Sequence, residues 1–228
     1  MSRMLQAIVT DIEGTTSSLS FVHEVLFPYA ARHLAGFVRA HGQQPQVRRL
    51  LDGAREMAGG NLDDEQLVAT LRRWMEEDRK LGPLKGLQGL LWEEGYRQGD
   101  FQGHVYEDAA RRLREWHARG LRLYVYSSGS VHAQMLLFRH TPFGDLTPLF
   151  RGYFDTGMGG KKEPASYAGI ARELGLPPSD ILFLSDVRAE LDAAAASGLR
   201  TTCLLRGEGP AVDPGPHPAA RSFDELSV

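Results

Sequence analysis

The chain has 228 residues with 26 Lys and Arg against 29 Asp and Glu, and a net charge of -3 gives no electrostatic case for binding nucleic acid or an anionic membrane. Its single cysteine, Cys203, excludes an intrachain disulfide and suits a reducing, cytoplasmic compartment. The apolar run at residues 5–9 is too short for a signal peptide, and no stretch approaches the ~18 apolar residues of a membrane span.

In chain order, residues 5–10 read as a buried strand ending on two acids, Asp11 and Glu13, with Gly14 and Thr15 directly after. Side chains at i and i+2 leave a strand end on the same face, and in an open α/β sheet ligands bind outside the carboxyl ends of the strands. A carboxylate nucleophile beside a second carboxyl that trades protons is the equipment for covalent phosphoryl transfer. Gly14 allows a sharp exit, and the Thr15 hydroxyl or nearby N–H groups can face an oxyanion. A strand that merely stops at a solvated turn would show the same short motif, so later strand ends must decide.

Residues 21–103 read differently. They show helical periodicity, as in Leu67, Leu71, Trp74, Asp78 and Leu81, with acids Asp63, Asp64 and Glu65 at its start and no strand. An all-helical block inserted after the first strand of a sheet is expected to form a cap over the crevice. Trp74 and Trp92 are expected to be packing residues first.

The second half repeats one phrase: an amphipathic helix, a Gly, then an apolar run. Gly120 precedes the run 121–126, Gly175 precedes 181–184, and Gly198 precedes 201–205. This predicts a parallel sheet with helices on its faces and left-handed glycines ending the helices. The run 121–126 stops at Ser127-Ser128-Gly129-Ser130, ahead of a helix over 131–140, and small hydroxyls with N–H groups at such a junction can cradle an anion. Lys161 and Lys162 follow a Gly-rich approach to a helix whose first turn accepts Pro164. They are a solvated pair, or one turns inward beside a phosphate. The run 181–184 stops at Ser185-Asp186. Asp186 either caps the following helix or meets Asp11 across neighbouring strands and holds a hard cation through oxygen. Glu190 and Asp192 fit an exposed helix face, and residues 207–218 a loop before a short element at 222–226.

Electrostatics connects these parts. At ~4 Å and an effective dielectric of ~20, an anionic Asp11 facing an anionic phosphate costs about 4 kcal/mol per unit pair. Mg²⁺ held by Asp11 and Asp186, together with Lys161, would supply the missing positive charge.

The order D-x-E-G-T, S-S-G, G-x-K and S-D, with a helical insert after the first, resembles the haloacid dehalogenase superfamily of aspartate-nucleophile phosphatases. Within it the chain resembles the acireductone synthase family, the enolase-phosphatases of methionine salvage. The resemblance is carried by residues 11–22 and 26–30, by Leu87-Gln88-Gly89, Trp92, Gly95-Tyr96 and Gly103-His104-Val105-Tyr106, and it runs from residue 11 to about 205. Glu13, where most of the superfamily's phosphatases carry Asp, is a specific marker.

The resemblance implies a Rossmann-like haloacid-dehalogenase core of α/β class with a parallel sheet, formed by 1–20 and 104–228, plus the helical cap 21–103. It implies Asp11 as nucleophile and Mg²⁺ ligand, and Glu13 as acid/base with its backbone carbonyl also on the metal. Ser127 and Ser128 would bind phosphate or enol oxygens, Lys161 the phosphate, and Asp186 the metal. Spacing from Gly159 selects Lys161 over Lys162, and the second acid after Asp186 would be Glu190 or Asp192. The implied reaction converts a phosphorylated diketone, 2,3-dioxo-5-(methylthio)pentyl 1-phosphate, to 1,2-dihydroxy-5-(methylthio)pent-1-en-3-one and phosphate. A sugar-phosphate or phosphoglycolate phosphatase without enolisation is the alternative; a dehalogenase or a non-catalytic module on the same fold stands further off. A monomer is expected.

Overall fold

The computed structural model describes residues 4–207 and 211–228. The chain divides into two compact units, one holding the residues up to Leu19 together with Gly103–Val228, the other Ser20–Gln102. Residues 1–3, and residues 208–210 of the loop expected over 207–218, lie outside the described part.

The first unit is built on a six-stranded parallel sheet in the order β3-β2-β1-β4-β5-β6. Its strands are β1 (Ala7–Thr10), β2 (Arg122–Tyr126), β3 (Phe150–Phe154), β4 (Ile181–Ser185), β5 (Arg200–Leu204) and β6 (Ala219–Ala220). The predicted α/β class and parallel sheet are therefore observed. β1 lies between β2 and β4, with Thr10 opposite Val125 on one side and Leu184 on the other. The chain winds outward from β1 through β2 to β3, then restarts at β4 on the opposite side. Strand order thus reverses beside β1, where an open sheet leaves a crevice at its carboxyl edge.

Burial follows the pleat. Ala7, Val9, Ile181 and Phe183 join one apolar cluster with Tyr167, Ile170 and Leu191 from α7 (Pro164–Leu174) and α8 (Arg188–Ala196). Ile8, Leu182 and Leu184 alternate to the opposite face and are also buried, as a sheet covered on both sides requires. Gly120, Gly175 and Gly198 adopt the left-handed backbone predicted for them. β3 and β6 were not foreseen. β3 is an edge strand, and its Arg151 and Gly152 interrupt the apolar run that would have revealed it.

The second unit packs α1 (Phe27–His41), α2 (Pro45–Met57), α3 (Asp64–Glu76) and α4 (Gly82–Gln98) around Leu34, Leu51, Leu67, Leu71 and Leu84. No strand occurs among its described residues. A π-helical turn, Phe21–Leu26, leads into α1. The acids foreseen at a helix start have distinct tasks: Asp63 accepts from the Gln66 N–H at 2.8 Å and the Gln66 side chain accepts from the Asp63 N–H, a reciprocal cap of the kind worth ~1 kcal/mol. Asp78 and Leu81 do not extend this helix as the periodicity suggested. It ends at Glu76, Asp78 takes a φ of 48°, and Leu81 precedes α4. Trp74 and Trp92 are buried, and the Trp92 indole donates to the Leu26 carbonyl at 2.8 Å. No helix of the described residues is long and apolar enough to cross a membrane.

Candidate active site

Asp11 follows the last residue of β1, where its N–H donates to the Leu184 carbonyl at 2.8 Å. The chain then turns sharply: the N–H groups of Thr15, Thr16 and Ser17 all converge on the Ile12 carbonyl. The Thr16 hydroxyl reaches back to the Asp11 carbonyl at 3.1 Å. The turn is also fastened from outside. Arg206 Nε–H donates to the Thr15 carbonyl at 2.9 Å, the Tyr106 N–H to the Thr16 carbonyl at 2.9 Å, and the Ser18 N–H to His104 Nδ1 at 3.0 Å. Sequence reasoning missed Arg206, which is held in turn by Asp108 at 2.7 Å and lies 4.2 Å from the Tyr106 ring centroid.

Gly14 is required where it stands. Its φ is +71°, and a Cβ there would collide with the Asp186 carboxylate. Gly14→Ala should therefore lose activity out of proportion to stability. A left-handed backbone costs a residue with a Cβ ~1–2 kcal/mol. Displacing a site carboxylate by about 1 Å can cost ~100-fold in rate. Thermal unfolding and kcat/KM measured on one preparation would check this; equal losses in both would mean that Asp186 simply moves aside.

The structure brings every predicted site residue of this unit to one cavity of about 360 Å³. Asp11, Glu13, Ser127, Ser128, Lys161 and Asp186 all line it, joined by Leu19, Thr156, Lys162, Glu163, Val187 and Glu190. Asp11 is 5% exposed, and its Oδ1 lies 2.7 Å from Lys161 Nζ while also accepting from the Ile12 N–H at 2.8 Å. Of the adjacent lysines, Lys161 turns inward and Lys162 is exposed. Ser127 follows β2, buried, with its N–H on the Phe154 carbonyl and its Oγ accepting from the Gly129 N–H at 3.3 Å. Ser128 and Glu13 are half-buried at the cavity wall. The helix α6 (Val131–Arg139) that follows is capped by Ser130.

Glu190 is the main correction. It is no exposed helix face: at 7% exposure, its Oε2 lies 2.7 Å from Lys161 Nζ and accepts from the Ser185 hydroxyl at 2.9 Å. Asp192 does face outward, toward His217 at 2.9 Å and Arg188 at 3.7 Å. The available signal was the spacing from Asp186 to Glu190, which across a helix start returns the side chain to the same side. Nor does Asp186 cap α8, since Val187 occupies that position.

The charges are unbalanced. Carboxylates of Asp11, Glu13, Asp186 and Glu190 face one buried ammonium. Burial, then the Asp11 charge, pushes the Asp186 carboxyl up to about 7. The same two causes push Glu190 up to about 7, against the pull of Lys161. Burial alone would lower the Lys161 pKa, but Asp11 and Glu190 outweigh it and hold the ammonium charged well above its ordinary value. Asp186 Oδ1 is buried with no hydrogen-bond partner among the described residues. A buried carboxylate oxygen without a donor, beside a second carboxylate, fits a hard cation. Although several acids line the cavity, no group of three or more His, Cys, Asp or Glu among the described residues is arranged to hold a metal ion by itself, which leaves Asp11 and Asp186 as an open pair of carboxylates. That suits a cation that keeps several waters and binds substrate oxygens.

The haloacid dehalogenase-like hydrolase family profile matches residues 5–198. An enolase-phosphatase E1 of Thioalkalivibrio sulfidiphilus is 62% identical over 225 residues, which cover 99% of this chain and all of that one. Another, of Methylococcus capsulatus, is 60% identical over 98% of each chain. Among solved structures, the UTR4 protein of Saccharomyces cerevisiae superposes with a TM-score of 0.83 at 36% identity, covering 97% of this chain and 100% of that one. With aspartate, serine and acid just after β1, β2 and β4, lysine in the loop between β3 and α7, and relatives of this identity over nearly the full length, the chain belongs to the enolase-phosphatase E1 family of haloacid dehalogenase-like hydrolases.

Proposed function

We propose that the Asp11 cavity carries both halves of an enolase-phosphatase reaction, with Mg²⁺ as the cation. The chain is an enzyme, an enolase-phosphatase of methionine salvage. Its proposed substrate is 2,3-dioxo-5-(methylthio)pentyl 1-phosphate. The observation that carries the site assignment is Lys161 Nζ at 2.7 Å from both Asp11 Oδ1 and Glu190 Oε2, next to an Asp186 oxygen without a donor.

A proton first moves from the carbon bearing the phosphate ester to the neighbouring carbonyl oxygen, the C–H electron pair becoming the carbon–carbon double bond of the enol phosphate. Asp11 then attacks phosphorus: its oxygen–phosphorus bond forms as the bond to the enol oxygen breaks, and Glu13 delivers a proton to that oxygen. Water next attacks the aspartyl phosphate, Glu13 takes up its proton, and Asp11 is released with inorganic phosphate. The Ser127 and Ser128 hydroxyls hold phosphate oxygens, and Lys161 balances the anion throughout. Asp11, Asp186 and the Glu13 carbonyl are the residues that would hold Mg²⁺, with Glu190 supporting them through Lys161 and Ser185. When bound, Mg²⁺ neutralises charge on the transferring phosphoryl group.

Chelation with EDTA should abolish phosphate release from the dioxo phosphate, and Mg²⁺ should restore it. Asp186→Ala should raise the Mg²⁺ requirement steeply, whereas Asp192→Ala, on the outward side of α8, should leave it nearly unchanged. With its carboxyl pushed up to about 7, Asp186 must shed a proton to bind metal, so the requirement should fall as pH rises through that value. Full activity in metal-free protein would reject the site, and faster turnover of phosphoglycolate or a sugar phosphate would reject the substrate.

A further inference from the structure

Nothing in the chemistry of two adjacent lysines explains why Lys161 is drawn in between Asp11 and Glu190 while Lys162, which also lines the cavity, stays exposed. The backbone around them does. The carbonyls of Gly159, Gly160 and Lys161 each accept a hydrogen bond from a different side-chain hydroxyl: Tyr126 at 3.0 Å, Ser166 at 2.9 Å and Tyr167 at 2.6 Å. We propose that this strap of hydroxyls positions the Lys161 ammonium for phosphoryl transfer, which makes Tyr126, Ser166 and Tyr167 positioning residues of the reaction. The inference rests on the role given to Lys161 above.

Fixing successive carbonyls fixes the peptide planes on both sides of Lys161 and hence the direction of its side chain. The donors themselves have little freedom. Tyr126 ends β2, while Ser166 and Tyr167 stand near the start of α7, and all are at most 1% exposed. The Tyr126 and Tyr167 rings meet edge to face with centroids 5.6 Å apart, and Tyr167 meets Phe183 of β4 in the same way at 5.0 Å. The strap is therefore anchored in the sheet and in the helix that covers it. Burial raises the pKa of both phenols, so both remain donors. Tyr126 acts a second time, its ring centroid lying 5.9 Å from Lys161 Nζ, near the limit at which a ring face attracts a cation.

The glycines ahead of the lysine belong to the same device. Gly159 has a φ of +127°, and a Cβ there would collide with the Ser166 hydroxyl. A Cβ on Gly160 would come within 2.9 Å of Glu163 Oε1. Gly159 thus leaves the room that the Ser166 hydroxyl needs to grip the Gly160 carbonyl.

A buried tyrosine needs a partner for its hydroxyl in any case, so a purely structural role is the competing account. A double-mutant cycle separates the two. Tyr167→Phe keeps the ring and its packing and removes only the grip on the Lys161 carbonyl. In the wild-type background it should lower kcat/KM for phosphate release on the order of 10- to 100-fold, the scale of an ångström-sized misplacement. It should also weaken inhibition by inorganic phosphate by a comparable factor. In a Lys161→Ala background the same substitution should change kcat/KM by no more than about 2-fold, because no ammonium is left to position. The same fold-loss in both backgrounds overturns the strap while leaving the role of Lys161 intact. Near-wild-type turnover by Lys161→Ala overturns that role, and the strap with it. Ser166→Ala and Tyr126→Phe run the same cycle should Tyr167→Phe not fold, and failure of all three to fold would show the hydroxyls to be structural and overturn the proposal.

Discussion

Asp11→Asn should bring phosphate release down to background while the protein folds as before. The substitution keeps the shape of the side chain and leaves the backbone bonds of residue 11 untouched: its N–H to Leu184, and its carbonyl from the Thr10 and Thr16 hydroxyls. Lys161 retains Glu190 at 2.7 Å, so the ammonium is not stranded. What disappears is the anion that attacks phosphorus. The expected loss is on the order of 10⁴–10⁶-fold, the scale seen when a member of a covalent catalytic set is deleted. In the wild type, hydrolysis of a substrate with chiral, isotopically labelled phosphorus should proceed with retention of configuration. Transfer to Asp11 inverts that centre once, and attack by water inverts it again. Net inversion would mean that water attacks directly and that Asp11 is no nucleophile.

Glu13→Gln should separate the two halves of the reaction. Glu13 stands two residues after Asp11 on the wall of the same cavity, half-buried, where its carboxyl can serve the bridging oxygen and the attacking water. A positioned proton donor is worth about 10²–10⁴ in rate, and phosphate release should fall by that much. Enolisation takes its proton from a carbon one bond further out and should suffer less. The enol phosphate should then accumulate, visible as ultraviolet absorbance that precedes phosphate release in a single turnover. If both halves slow equally, Glu13 is itself the base at carbon, or one conformational step limits both. A primary deuterium isotope effect at that carbon, expressed in the first case and masked in the second, tells these apart.

Local rules made much of this molecule legible in advance. Apolar runs stopping at Asp11, Ser127 and Asp186 mark β1, β2 and β4, and glycines 120, 175 and 198 end their helices in the left-handed backbone that a residue without a Cβ adopts freely. Those signals hold because they arise within a few residues of chain. β3 escaped because an edge strand need not be apolar throughout, and Arg151 lies exposed within it.

By itself, then, the sequence determined the α/β class, the helical insert and the set of strand ends where chemistry could occur. Only the tertiary structure decided which acids meet. Glu190 and Asp192 are two residues apart on one helix, yet one lies against Lys161 and the other against His217. Their periodicity is compatible with either being inside. Choosing between them required α8 to be seated against the sheet, and the sheet to place β4 beside β1 with Leu184 opposite Thr10. The same holds for the lysines, whose difference comes from hydroxyls on β2 and α7 rather than from the lysines themselves. Contacts between residues distant in the chain depend on strand order and register, which no local window of sequence contains.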